Sequence, residues 1–111
     1  MELEDKQISP GTALVTCRGR LNLATAPEFR AYVNAVVDEG SSRVVVDLAG
    51  TTFIDSSGLG ALIGCLKRAR SEGGDLRIAG PSEQVRTVLG LTNLDRVLRP
   101  HEGLDEATRG W

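Results

Sequence analysis

Residues 44–80 read "VVVDLAGTTFIDSSGLGALIGCLKRARSEGGDLRIAG", and the fold turns on this stretch. It opens inside "RVVVDL" (43–48), a short run dominated by β-branched side chains. Such a run predicts a central strand buried on both faces, with parallel neighbours. The pattern then becomes helical over 58–71. Leu59, Leu62, Ile63, Leu66 and Ala69 gather on one arc, with Cys65 at its edge. Gly73-Gly74 ends that helix, and "DLRIAG" (75–80) supplies the next strand. A helix between two buried strands is a crossover unit, so the interior of the sheet is expected to be mostly parallel.

The flanking segments extend this plan. Residues 2–8 and 13–19 predict two strands joined by the turn Ser9–Thr12. Ala13, Val15 and Cys17 alternate with polar neighbours, although Leu14 falls on the polar side. "TAPE" (25–28) has the form of a capping box, threonine three residues before Glu28, with Pro27 tolerated in the first turn. Phe29, Val33, Val36 and Val37 then make one apolar face, closed by Gly40. Pro81-Ser82-Glu83 opens a short helix carrying Val85, Val88 and Leu89. Asp95–Leu98 predicts a last short strand, and 102–107 a weak helix. With 111 residues and no linker or repeat, one α/β domain spanning 1–111 is expected.

Composition excludes several classes. The 13 basic and 15 acidic residues are interspersed along the chain, and the net charge is -2. No basic stripe stands out along the sequence, which argues against direct nucleic-acid binding. Apolar runs are too short for membrane insertion. "MELEDKQ" is acidic where a signal peptide is basic and then apolar, so a cytoplasmic protein is expected. Cys17 and Cys65 are far apart and without metal-ligand spacing, in a chain with one histidine; they are read as small buried side chains. His101, following Pro100, is read as solvated. No metal and no cofactor are expected.

"TFIDSSGLG" (52–60) carries two hydroxyls and two glycines that a strand-to-helix turn does not require. Ser56 or Ser57 as a helix cap accounts for one of them. Gly60 and Gly64 lie, with Lys67 and Ser71, on the side of the helix turned away from the apolar arc. Each glycine there costs about 1 kcal/mol relative to alanine. A partner that must approach the helix backbone closely explains them. "GLGALIG" resembles a nucleotide-binding glycine pattern only loosely, because its later glycines fall inside the helix and no Walker lysine follows. No G-x-S-x-G elbow is present, so the chain is read as having no catalytic residues. A serine at a helix N-terminus can also be a switch, since the dipole and free N–H groups tolerate a phosphate.

The stretch from Val44 to Gly80 resembles the core of the STAS domain, and "IDSSGLGALI" resembles the phosphorylation loop of bacterial anti-sigma factor antagonists. The similarity runs from about Gly19 to Val97 and takes in "VLGLTNLDRVL". The resemblance implies a small α/β sandwich, with a mixed, mostly parallel-core sheet and helices mainly on one side. It implies a protein-binding switch with no enzyme activity of its own. The unmodified form would bind an anti-sigma factor with serine kinase activity and so release a sigma factor. Phosphorylation of Ser56, directly behind Asp55, would end that binding, and a PP2C-type serine phosphatase would restore it. Asn22, Asp55, Ser57, Gly58, Gly60 and Gly64 would face the partner, with Ser57 a cap or a contact. The family's usual Gly-Glu-Leu-Asp is "GRLN" here, so Arg20 and Asn22 replace two acids beside the acceptor loop. A second reading is a STAS scaffold or regulatory subunit of a larger signalling or transport assembly, its serine unmodified.

Overall fold

The computed structural model describes residues 1–111. Val44, Val45 and Val46 are fully buried, and the strand they form, β3 (Arg43–Asp47), lies mid-sheet. On one side β3 pairs in parallel with β2 (Thr12–Leu21), and on the other with β5 (Asp75–Ala79). β1 (Glu2–Ser9) pairs antiparallel with β2, as the hairpin reading requires. A two-residue strand, Pro100–His101, closes the far edge beside Ile78 and Ala79.

"TTFI" is not a continuation of β3. The chain jogs at Leu48–Gly50 and resumes as β4 (Thr51–Ile54), which pairs with the second half of β2. Three hydrogen bonds hold the jog. The Leu48 N–H donates to the Ala79 carbonyl at 2.9 Å, and the Gly19 N–H to the Gly50 carbonyl at 2.9 Å. The buried Thr51 hydroxyl donates to the Cys17 carbonyl at 2.8 Å. β2 can therefore serve two successive strands along one edge, with a bulge between Gly19 and Arg20 where the partner changes. The final strand, numbered in chain order, is β6 (Pro100–His101).

Three helices cover one face: α1 (Ala26–Asp38), α2 (Ser56–Ser71) and α3 (Glu83–Leu91). The large core lies beneath them and includes Val15, Cys17, Phe29, Val33, Ile54, Leu62, Leu66, Val85 and Leu89. The short α4 (Leu104–Ala107) covers the other face, where Val45, Ala79 and Ala107 form a small second core. Leu14 packs against that second core, so its place on the polar side of β2 has a physical reason. Helices mainly on one side of a mostly parallel sheet is the architecture expected.

Two local expectations are corrected. Thr25 does not form a capping box. Its hydroxyl donates back to the Arg20 carbonyl at 2.7 Å and accepts the Asn22 N–H at 2.9 Å. The loop is tight enough to claim the hydroxyl before α1 can. Asp95–Leu98 is not a strand. Asn93 takes a left-handed conformation (φ 59) after α3, and Leu94–Arg96 coil into a 3-10 turn. That turn drives Leu98 into the core and leaves Val97 43% exposed, so the neighbouring apolar pair does not mark an extended run.

Cys17 and Cys65 are free and buried. Burial pushes the Cys65 thiol up to about 11 and raises that of Cys17, so both stay neutral thiols near neutral pH. The Tyr32 hydroxyl donates to the Asp5 carboxylate and ties α1 to the edge strand. That bond is the main reason its phenol is raised to about 12.

Candidate functional site

α2 starts at Ser56, and the residue that caps it is Asp55. Asp55 is extended (φ -119, ψ -173), so its short carboxylate reaches forward to the Gly58 N–H at 2.9 Å. The other carboxylate oxygen accepts the Leu23 N–H at 3.1 Å. This corrects the expectation that Ser56 or Ser57 caps the helix. With Asp55 in that place, neither serine hydroxyl makes a hydrogen bond within the chain. Ser56 is exposed and Ser57 half-buried.

Asn22 prepares the surface beside them. Its Oδ1 accepts the N–H groups of Ala24 (3.0 Å) and Thr25 (3.2 Å), which folds the β2–α1 loop into a turn. The next amide, that of Leu23, is the one bound to Asp55. Asn22 and Asp55 thus fasten the loop to the start of α2 through a single residue. An acceptor oxygen suffices for the turn, and the neutral amide avoids a second carboxylate beside Asp55.

The glycines divide three ways. Gly58 is buried, and a Cβ there would lie 2.3 Å from the Leu21 carbonyl oxygen and 2.8 Å from Ile54. Its expected place on the partner surface is corrected: close packing of α2 on β2 and β4 requires it. Gly60 is exposed, with nothing within 4 Å of an added Cβ. Gly64 is half-buried, and an added Cβ would sit 3.5 Å from the Arg30 guanidinium reaching over from α1. The helix backbone is open at Gly60 and partly roofed at Gly64.

Between α1 and α2 runs a shallow groove of about 540 Å³ that includes Leu23, Arg30, Asn34, Ser57 and Gly60. Leu23 is 74% exposed, and Phe53, on β4 just before the loop, is 40% exposed. Exposed Arg20 stands across from Phe53 in the β2–β4 register. These apolar side chains were not singled out from the sequence. A leucine in the otherwise polar loop "NLATAP" was the available signal for Leu23.

Gln84 was also missed. From α3 its side chain accepts the Ile54 N–H at 2.9 Å and donates to the Ile54 carbonyl at 3.1 Å. It substitutes for a neighbouring strand along the outer edge of β4, immediately before Asp55. Nothing local in "SEQVR" marks that role, because it depends on which element α3 meets. His101 is half-buried, with Nδ1 3.3 Å from a Glu106 carboxylate oxygen, and lies on the edge strand away from the serines; the solvated reading is corrected. No three His, Cys, Asp or Glu side chains converge as metal ligands.

The STAS domain profile matches residues 5–107, which takes in the serine loop, both cores and α4. The chain belongs to the STAS family. A Thermotoga maritima relative assigned as an anti-sigma factor antagonist is 34% identical over 88 residues, 78% of each chain. The anti-sigma-B factor antagonist of Staphylococcus epidermidis is 32% identical over 87 residues, 78% of this chain and 81% of its own. The crystal structure of an anti-sigma factor antagonist, so assigned, from Thermotoga maritima superposes with a TM-score of 0.88 at 29% identity, covering 96% of this chain and 92% of the other. The STAS fold itself is shared more widely. Phosphorylated SpoIIAA of Bacillus has a TM-score of 0.70 at 19% identity, with 91% and 92% of the two chains covered. A sulfate transporter family protein of Wolinella succinogenes reaches 0.77 at 19%, with 94% and 87% covered. The STAS members named antagonists share with this chain both the family and the fold. No helix in it is long and apolar enough to cross a membrane.

Proposed function

We propose that this STAS domain is an anti-sigma factor antagonist working as a partner switch. In the unmodified state it binds an anti-sigma factor that is also a serine kinase, and the sigma factor is released. Phosphate on Ser56 ends the interaction, and a PP2C-type phosphatase renews it. One observation carries the reading: Ser56 is exposed at the first position of α2 with its hydroxyl unbonded, because Asp55 has taken over the capping. A kinase finds there a free hydroxyl on a rigid helix start, and the added phosphate meets a favourable dipole.

The same place explains the block. Leu23, Phe53 and the bare backbone at Gly60 offer a partner close apolar contact. A dianion set among them has to be desolvated when the partner docks, at a cost of up to several kcal/mol. A loss of about 3 kcal/mol weakens binding more than a hundredfold. Relatives above 30% identity that carry the antagonist name support this reading over a transport-assembly subunit.

The test is to incubate the protein with its cognate kinase and ATP and map the product by mass spectrometry. Phosphate is expected on Ser56 alone, Ser56→Ala should bind the kinase constitutively, and Ser56→Asp should bind it weakly. Phosphate on Ser57, or on neither serine, overturns the assignment.

A further inference from the structure

Charges that look scattered along the sequence do not stay scattered in the fold. Arg70 ends α2, Arg77 lies on β5, Arg96 and Arg99 flank the turn before β6, and Arg109 follows α4. All five line one open concavity of about 490 Å³, together with His101. Only two carboxylates, Asp75 and Glu106, share it, in a chain whose net charge is negative. β5 is paired with β3 along its whole length, but on its outer edge β6 pairs with Ile78 and Ala79 alone, so that edge is open at the first three residues of β5, and the arginines gather along the gap.

The two carboxylates are already engaged. Asp75 accepts from Arg70 at 3.0 Å and lies 3.7 Å from Arg77. Glu106 faces His101 at 3.3 Å and accepts the Glu102 N–H at 3.4 Å. Arg77 is held further by the carbonyls of Ala107 (3.0 Å) and Arg109 (2.9 Å), with its guanidinium 4.2 Å from the Trp111 ring centre. Arg96, Arg99 and Arg109 are exposed and form no ion pair in the chain. Three uncompensated guanidinium groups around one concavity repel one another unless an anion lies between them. Guanidinium forks match phosphate oxygens two at a time.

We propose that this arginine-lined concavity binds a small, multiply charged phosphate anion, of the inorganic polyphosphate or nucleoside polyphosphate class. The site lies at the amino-terminal end of β5, whereas the Ser56 loop follows the carboxyl end of β4, which runs in the same direction. The two are at opposite ends of the sheet, so an anion can be held while the serine face is occupied.

Titration calorimetry with inorganic tripolyphosphate tests this on the intact chain, with ATP as a parallel arm. Tripolyphosphate should bind saturably at one site and more weakly as salt rises. Fluorescence of Trp111, the sole tryptophan, should shift with the same midpoint through Arg77. Equal affinity in both arms assigns recognition to the phosphates, and tighter ATP adds a contact to the base or sugar; both support the proposal. The Arg96→Glu/Arg99→Glu variant should lose at least about tenfold in affinity and keep its melting temperature, and Arg109→Gln should weaken binding independently. Lys6→Glu/Arg18→Glu makes the same change in net charge at the opposite edge of the sheet and should retain affinity. A titration that does not saturate at millimolar tripolyphosphate overturns the site, as does an equal loss in both double variants.

Discussion

A single added methyl distinguishes two glycines of α2. At position 58 it would meet the Leu21 carbonyl oxygen at 2.3 Å, and backbone there cannot give way without moving β2. Gly58→Ala is therefore expected to destabilise the fold by about 1–3 kcal/mol. At position 60 the methyl meets nothing within 4 Å. Gly60→Ala should stabilise the protein by about 0.4–1 kcal/mol while weakening the proposed partner. Urea denaturation of the two variants reads both signs. Equal stability changes would mean that α2 sits differently against β2. From the sequence the two glycines look alike, since both follow the serine doublet and both interrupt a helix. Their difference is a distance to a strand some thirty-five residues earlier in the chain.

Among the elements, β4 is the one whose support is least expected. It is four residues long, and one edge pairs with β2. On the other edge the Gln84 side chain satisfies both polar groups of Ile54. Gln84→Leu keeps the bulk and removes both bonds, leaving an N–H and a carbonyl part-buried and unpaired. A loss of about 1–3 kcal/mol is expected, with faster hydrogen exchange at the Ile54 amide. Unchanged exchange would show that β4 holds its place without α3. The consequence reaches the switch, because Ile54 immediately precedes Asp55, and Asp55 sets the start of α2. A looser β4 should therefore also lower the affinity for the partner.

For the molecule as a whole, the uneven covering of the sheet matters most. Three helices protect one face, while the other depends on a four-residue helix and the residues after it. Arg77 draws that segment in through the carbonyls of Ala107 and Arg109, and Trp111 and Leu104 shield Val45 and Ala79. Removing residues 104–111 should uncover those two side chains, which are 0% and 4% exposed. The expected outcome is a loss of about 1–3 kcal/mol and self-association, read by thermal melting and light scattering. A truncated chain that melts normally and stays monomeric would assign the second core no weight in the fold.

Whatever depends on neighbours a few residues apart is legible in the chain alone. The β-branched run of β3, the apolar arcs of α1 and α2, the β1–β2 hairpin and the exposure of Gly60 all follow from periodicity, which short-range geometry enforces. The identity of the family was equally legible, carried by the serine loop and its flanks. The tertiary structure alone decided what depends on who meets whom. It tied Asp55 to the Leu23 amide, made Gly58 a packing residue and Gln84 a stand-in for a strand, and drew five scattered arginines around one concavity. The physical reason is common to all of these. A hydrogen bond, a close approach or a cluster of charge between distant residues leaves no period in the chain, because its partners are brought together only when the sheet closes.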